Sequence, residues 1–258
     1  MKKIFTLLSV LSLTTLSYSQ VSLTSLNTAY TQNFDGLANS GTSSTTLNGT
    51  LAGWYILETG SNSNTTYTAG TGSATAGDTY SFGAASSTER ALGSIASGNL
   101  LSRYGAQFKN DTGNIIDQLE ISYVGEEWRF DPNRGTTIKD QITFEYSTDA
   151  TSLTTGTWIP VSALTYETTN LTGTAGLRNG NDAAYRTSLS NTIKGLNISA
   201  GQTFWIRFVD INVSGTDDGL AVDDFSLTPI NSTLSVNDIS KTKNIFLKNT
   251  MVDNTLSF

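Results

Sequence analysis

Short segments in which apolar and polar residues alternate, separated by turn-forming residues, constrain the fold of this chain most. In residues 141–147, Ile142, Phe144 and Tyr146 alternate with polar neighbours. Such a period of two is typical of a half-buried strand, whereas no long stretch has the 3.6-residue period of an amphipathic helix. About eleven strands with essentially no helix predict an all-β fold, a jelly-roll β-sandwich of two antiparallel sheets. The predicted strands are Tyr30–Phe34, Gly53–Glu58, Thr79–Phe82, Arg90–Ile95, Arg103–Lys109, Ile115–Val124, Gln141–Ser147, Thr157–Val161, Thr192–Ile198, Phe204–Ile211 and Leu220–Leu227.

The composition supports a folded domain despite its polarity. Charged residues make up 14% of the chain, against about 25% in a typical globular protein. The 4 Trp, 10 Tyr and 11 Phe are too many aromatic residues for a disordered chain. The Ser-, Thr- and Gly-rich segments 40–50 and 60–77 are predicted to be long loops.

The missing residue types exclude several kinds of chemistry. The chain has no His and no Cys, so it can form neither a Ser-His-Asp triad nor a Cys nucleophile. Zinc sites of the usual Cys and His type are excluded as well. With 15 basic residues and a net charge of −7, the chain has no cationic stripe for a nucleic-acid backbone. We therefore expect no nucleic-acid partner.

The acidic pair Glu126-Glu127 is the best candidate for catalytic carboxylates. Glycoside hydrolases need two carboxyl groups that face each other across a cleft. Adjacent residues of a strand point to opposite faces, so this pair cannot act together. Glu127 and Arg129, two residues apart, are expected to form a surface ion pair. The prediction is that the protein is not an enzyme.

The N-terminal segment has the pattern of a secretory signal peptide. Lys2-Lys3 precede an apolar run, and Ser17-Tyr18-Ser19 offer small residues at the positions that a signal peptidase inspects. The run is shorter than the roughly 20 residues that span a bilayer. We expect a signal peptide over 1–19 and a protein that is extracellular or on the outer cell surface. The expected domain covers 20–230, with a linker at 231–236 and a distinct tail at 237–258.

Two adjacent aspartates, Asp223 and Asp224, lie among apolar residues in the last predicted strand. If this strand formed a hairpin with residues 204–211, Arg207 would face Asp223 and Trp205 would face Phe225 across the strands. Asp223 could then pair with Arg207 while Asp224 accepted backbone N–H groups. Alternatively, the carboxylates hold Ca²⁺, which takes six to eight oxygen ligands.

Several segments resemble secreted jelly-roll modules. Residues 32–37 (Gln-Asn-Phe-Asp-Gly-Leu), 53–55 (Gly-Trp-Tyr) and 221–227 (Ala-Val-Asp-Asp-Phe-Ser-Leu) are similar to the opening and closing strands of carbohydrate-binding modules, MAM-type adhesion domains and surface modules of the Bacteroidetes type. The resemblance implies that the first and last strands lie side by side. It also implies a structural Ca²⁺ between them, held by Asp35 and by Asp223 or Asp224.

The tail resembles a different family. Residues 245–258 are similar to the beginning of a type IX secretion C-terminal sorting domain, with Lys-Asn-Thr-Met-Val at 248–252 in place of that family's Tyr-Pro-Asn-Pro-Val-like core. The alternative is an ordinary solvated tail.

Aromatic side chains are the remaining candidates for ligand contacts. Rings that could present a face to a sugar are those of Trp54, Trp128, Trp158 and Tyr185. Among the candidates, Trp54, Trp128 and the adjacent Arg129 are the predicted ligand-binding residues, with Trp128 expected to be exposed and Trp205 expected to lie in the core. The sequence thus predicts a non-catalytic binding or adhesion module for a glycan or a surface partner. The alternatives are a structural module without a small ligand and, third, a polysaccharide hydrolase.

Overall fold

The structure, a computed structural model, describes residues 19–47, 51–133, 135–168 and 170–233. The predicted signal peptide before Ser19, residues 234–236 of the predicted linker and the tail lie outside the described residues. In the described part, no helix is long and apolar enough to cross a membrane.

The described residues form sixteen strands and one turn of 3₁₀ helix at Ser162–Leu164. In chain order the strands are β1 (Val21–Leu23), β2 (Tyr30–Gln32), β3 (Thr42–Ser44), β4 (Trp54–Thr59), β5 (Thr66–Gly70), β6 (Asp78–Phe82), β7 (Ala91–Ile95), β8 (Leu101–Asn110), β9 (Ile116–Phe130), β10 (Gln141–Ser147), β11 (Ile159–Pro160), β12 (Tyr166–Glu167), β13 (Gly176–Leu177), β14 (Arg186–Ile198), β15 (Thr203–Ile211) and β16 (Gly219–Ile230). The predicted all-β fold is confirmed, and each of the eleven predicted segments overlaps a strand.

The strands belong to two sheets. The seven-stranded sheet has β8, β15 and β10 at its centre, with β1 and β4 along one edge and β11 and β12 along the other. In the nine-stranded sheet, β13 and β14 pair with β9, β9 pairs with β16, and β7, β6, β5 and β3 continue the order. β2 also pairs with β16, so the opening and closing strands lie side by side as the resemblance implied. β3 and β5 lie inside the predicted loops 40–50 and 60–77, which are therefore not loops throughout.

The interior between the sheets is packed with aromatic rings. Trp54 lies at its centre, edge-on to Phe34 and Phe225 at centroid distances of 4.8 and 5.4 Å, and it donates its indole N–H to the Tyr30 hydroxyl over 2.8 Å. Phe208 stacks with Trp54 at 6.5 Å. Edge-to-face rings at these distances add about 0.5–1.5 kcal/mol per pair beyond their burial.

The predicted hairpin of the last two strands is wrong. β15 belongs to the seven-stranded sheet and β16 to the nine-stranded sheet. Both strands carry large apolar residues towards the interior, where the rings of Phe208 and Phe225 meet at 6.2 Å. The connection between them therefore crosses from one sheet to the other. Arg207 faces Glu145 of β10 instead of Asp223.

Candidate functional sites

The outer face of the seven-stranded sheet carries an aromatic patch, formed by Tyr55, Trp158 and Trp205. Tyr55 and Arg207 flank Gly105 in register across the sheet. A Cβ at Gly105 would lie 2.1 Å from the carbonyl oxygen of Ile206. The backbone of β15 therefore approaches β8 closely at this glycine, and beside it the rings of Tyr55 and Trp205 approach to a centroid distance of 5.0 Å.

A loop from Thr148 to Thr157 folds over one side of this patch. Asp149 Oδ1 accepts hydrogen bonds from the Thr157 N–H and the Ser147 hydroxyl, both at 2.7 Å, which closes the loop on itself. Ala150 and Leu153 of the loop pack on Trp205. As a result Trp205 is 2% exposed, although it lies outside the main core of the sandwich.

An arginine connects the loop to the sheet. The guanidinium of Arg207 lies 3.9 Å from the centroid of the Trp158 ring, donates to Glu145 Oε2 over 2.7 Å and donates to the carbonyl of Leu153. A partly desolvated cation on an indole face is worth about 1–2 kcal/mol. Arg207 thus fixes the orientation of Trp158, which is partly exposed.

The patch presents two aromatic side chains to solvent. Tyr55 and Trp158 are both partly exposed, and aromatic rings of this kind line ligand sites together with a few placed polar groups. The Trp205 indole N–H is buried without a hydrogen-bond partner, a costly arrangement for a polar group.

A carboxylate cluster lies on the nine-stranded sheet. One carboxylate oxygen each from Glu89, Glu126 and Asp223 lie within 4.8 Å of one another. Glu89 precedes β7, Glu126 lies in β9 and Asp223 in β16, so the cluster joins three neighbouring strands.

A β-bulge in β16 positions Asp223. Asp223 pairs with Val124 but Ser226 pairs with Ser122, so β16 has one residue more than β9 here. Asp224 has a φ of +50°, in the left-handed region where such bulges place a residue. Val222 packs in the main core before the bulge and Phe225 after it. The bulge therefore reverses the inward and outward alternation, leaving Asp223 beside Glu126 and Asp224 exposed.

Hydrogen bonds hold the cluster from several sides. Glu126 Oε2 accepts the Trp128 indole N–H over 2.9 Å, whereas Glu126 Oε1 is buried without a hydrogen bond. Its nearest cation is Arg186, 3.8 Å away. Asp223 Oδ1 accepts the backbone N–H of Asp224 over 2.7 Å, and Glu89 accepts a hydrogen bond from Asn181.

Burial disfavours the ionised form of the Glu126 and Asp223 carboxylates. It raises the pKa of Glu126 to about 7, opposed by the Trp128 hydrogen bond, and it raises the pKa of Asp223 to about 9. Desolvated carboxylates that lie close together need a proton or a cation. Ca²⁺ prefers such hard oxygen ligands, and the orphaned oxygen of Glu126 fits this requirement.

The predicted metal ligands lie at this cluster in different roles. Asp223 is a member. Asp35 is adjacent, because its Oδ1 accepts the backbone N–H of Arg90 over 3.1 Å and so holds the backbone beside Glu89. Asp224 lies within 3.4 Å of Arg186. Glu89 and Glu126 were missed, because only the pairing of β7, β9 and β16 brings them together.

The predicted ligand-binding residues are all buried. Trp54, Trp128 and Arg129 are 2%, 1% and 7% exposed, so the expectation that Trp128 presents an exposed face is wrong. Trp128 stacks on Phe82 at a centroid distance of 6.1 Å and lies in a small apolar cluster on the outer side of its sheet.

The predicted surface ion pair between Glu127 and Arg129 is also wrong. Glu127 is fully buried and accepts hydrogen bonds from Thr168 and Asn170. Arg129 lies 3.5 Å from Asp131. Both side chains lie beneath loops that cover the end of β9, which the spacing along the strand could not reveal.

Comparison with known proteins gives distant structural similarities only. No protein-family profile and no curated protein sequence matches the chain. TmCBM61, solved with β-1,4-galactotriose, is 13% identical with a TM-score of 0.35, over 69% of this chain and 88% of that chain. TmCBM27, a mannan-recognising carbohydrate-binding module, is 10% identical with a TM-score of 0.37, over 78% of this chain and 96% of that chain. The K3 adhesin domain of Lys-gingipain from Porphyromonas gingivalis is 11% identical with a TM-score of 0.36, over 57% of this chain and 78% of that chain.

Proposed function

We propose that this protein is an exported, non-catalytic glycan-binding module whose binding face is the outer face of the seven-stranded sheet. The observation that carries the proposal is the aromatic patch, where Tyr55 and Trp158 are partly exposed and the buried Trp205 supports the ring of Tyr55. The pyranose C–H face packs on such rings while its hydroxyls reach the polar groups around them. The signal-like segment 1–19 supports export to the outside of the cell.

The position of the carboxylates supports a non-catalytic role. Glu126 and Asp223 belong to the other sheet, and stacked sheets lie about 10 Å apart. They therefore cannot reach a sugar on the aromatic patch. Glu145, which lies on the patch side, is held by Arg207.

Glycan binding by the chain and by single-site variants tests the proposal. We expect a glycan panel to give a ligand whose affinity falls about two- to tenfold in Trp158→Ala, because stacked rings contribute about 0.5–1.5 kcal/mol each beyond burial. Tyr55→Ala should have a similar effect without touching Arg207. Tyr185→Ala, on the other sheet, is the matched control and should bind normally.

Two results would overturn the proposal. One is a panel without any ligand for the folded chain, which would favour a structural module. The other is a ligand whose affinity is unchanged in both Trp158→Ala and Tyr55→Ala, with melting curves showing that the variants are folded.

We propose further that the cluster of Glu89, Glu126 and Asp223 binds a structural Ca²⁺. Its support is the mutual distance of the three carboxylate oxygens and the orphaned Glu126 Oε1. A ligand that binds only the folded chain stabilises it, by about 2.7 kcal/mol at a hundred times its Kd. We expect millimolar Ca²⁺ to raise the melting temperature of the chelator-treated protein, and Asp223→Asn to remove this increase.

Glu120→Gln is the matched control for the calcium measurement. Glu120 lies in the same strand as Glu126 but is exposed and outside the cluster, so its removal should leave the Ca²⁺ response intact. Equal responses of the wild type and of Asp223→Asn would contradict the site.

A further inference from the structure

We propose that the ligand of the aromatic patch is an anionic glycan, whose carboxylate or sulfate group is bound by Arg103. This inference rests on the proposed function. It names the class of glycan and adds a specificity-determining residue that the sequence did not indicate.

Arg103 lies on the outer face beside the aromatic patch. It is in register with Leu57 of β4 and Val209 of β15. Its neighbour Tyr104 is fully buried in the interior, so the alternation of the strand directs Arg103 outwards. Tyr55 is two residues from Leu57 on the same face. Arg103 is therefore a diagonal neighbour of Tyr55 at the edge of the patch, a separation that long side chains can bridge.

Arg103 has no acidic partner. Its side chain donates one hydrogen bond, to the Thr59 hydroxyl over 2.9 Å, and none of the ion pairs among the described residues includes it. Two other basic side chains of this sheet do have acidic partners. Arg207 is bound to Glu145, and Lys109 lies 2.8 Å from Asp111.

The patch consequently lacks the acidic excess of the whole chain. Arg103 and Arg207 are opposed by two carboxylates, Glu145 and Asp149 of the covering loop, whereas the whole chain has a net charge of −7. The two guanidinium groups affect each other, because burial and, to a smaller extent, the charge of Arg103 lower the pKa of Arg207. An anionic group would relieve this repulsion.

The chemistry of Arg suits this ligand. The planar guanidinium presents parallel N–H groups that match carboxylate and sulfate oxygens in pairs. Arg103 is partly buried, which strengthens such a contact relative to one in open water. A neutral sugar would leave the charge of Arg103 uncompensated.

Pairs of glycans that differ only in charge test the inference. The full chain would be titrated with oligogalacturonate against its methyl-esterified form, and with dextran sulfate against dextran. We expect at least tenfold tighter binding to the charged member of one pair, with an affinity that falls as salt is added. The pair that shows the preference identifies carboxylate or sulfate as the recognised group.

Single variants assign the preference to Arg103. Arg103→Gln should bind both members of the pair equally, at the affinity that the wild type has for the uncharged one. Lys194→Gln removes one positive charge from an exposed position of β14 on the other sheet and should keep the preference.

The failures of the two proposals can be told apart. Binding without preference for charge, or a preference that persists in Arg103→Gln, overturns the anionic ligand and leaves the glycan-binding face intact. Absence of binding to every probe, charged or neutral, overturns both.

Discussion

At the scale of single residues, burial decides what each tryptophan does. Trp54 and Trp128 are enclosed, and their indole N–H groups donate to Tyr30 and Glu126. Trp158 is partly exposed and oriented by Arg207. Sequence neighbours could not distinguish these environments, because Trp128 is buried although charged residues, Glu127 and Arg129, lie on both sides of it.

Trp128→Phe should lower stability without changing glycan binding. Phe keeps a ring against Phe82 but leaves Glu126 Oε2 buried without its 2.9 Å donor, a loss of about 1–3 kcal/mol. Urea unfolding would measure it. Trp158→Phe is the control. The indole N–H of Trp158 donates to the exposed carbonyl of Thr155, so this variant should lose less stability. A change below about 0.5 kcal/mol in Trp128→Phe would contradict the structural role.

At the scale of elements, the eleven predicted segments share one property: enough residues to show alternation or a run of strand formers. For β2 and β11, which have three and two residues, the predicted segments Tyr30–Phe34 and Thr157–Val161 extend beyond the strand itself. The five missed strands, β1, β3, β5, β12 and β13, have two to five residues. Over so few residues a period of two is not distinguishable from chance, and the strands exist because neighbouring strands pair with them. The bulge in β16 has the same origin, since only its pairing with β9 reveals the extra residue.

Two substitutions at Asp224 should separate backbone strain from charge. Asp224 is in the left-handed region, which glycine adopts at no steric cost. Asp224→Gly should therefore be within about 1 kcal/mol of the wild type, since the exposed contact with Arg186 contributes about 0–1 kcal/mol. Asp224→Val should lose more, about 1–3 kcal/mol, because a β-branched residue is strained there. Chemical denaturation of both variants measures this, and equal stability of the two would argue against the bulge.

At the scale of the whole molecule, buried acidic groups lie between the two sheets. Asp210 of β15 accepts the hydroxyl of Ser94 from β7 over 2.7 Å, which links the sheets. Asp140 is also fully buried. Burial raises the pKa of Asp210 to about 7, opposed by the Ser94 hydrogen bond and reinforced by nearby acidic residues, and it raises the pKa of Asp140 well above its usual value.

Stability should consequently fall as the pH rises from about 4 to 7. The folded state holds the Asp210 proton more tightly than the unfolded state, so the neutral form stabilises the fold at low pH and that contribution is lost through the folded pKa. The raised pKa of Asp210 corresponds to a change of at most about 4 kcal/mol in the free energy of unfolding.

Asp210→Asn should weaken this dependence, because it cannot ionise and can still accept from Ser94. Urea unfolding at pH 5 and pH 8, with Ca²⁺ held constant, would compare the two proteins. If the free energy of unfolding falls equally between pH 5 and pH 8 in the wild type and the variant, Asp210 does not titrate as inferred. Asp140 should account for part of the dependence that remains.

The sequence by itself determined the longer strand-forming segments, the all-β class and the chemistries that the missing His and Cys exclude. These properties are local, because composition and a period of two need no knowledge of which strands pair. Only the tertiary structure decided that β15 and β16 lie in different sheets, that Glu89, Glu126 and Asp223 meet, and that Arg103 lies beside the aromatic patch without a counter-ion. Each depends on contacts between residues far apart in the chain, and alternation along a strand specifies opposite faces without specifying which face is covered.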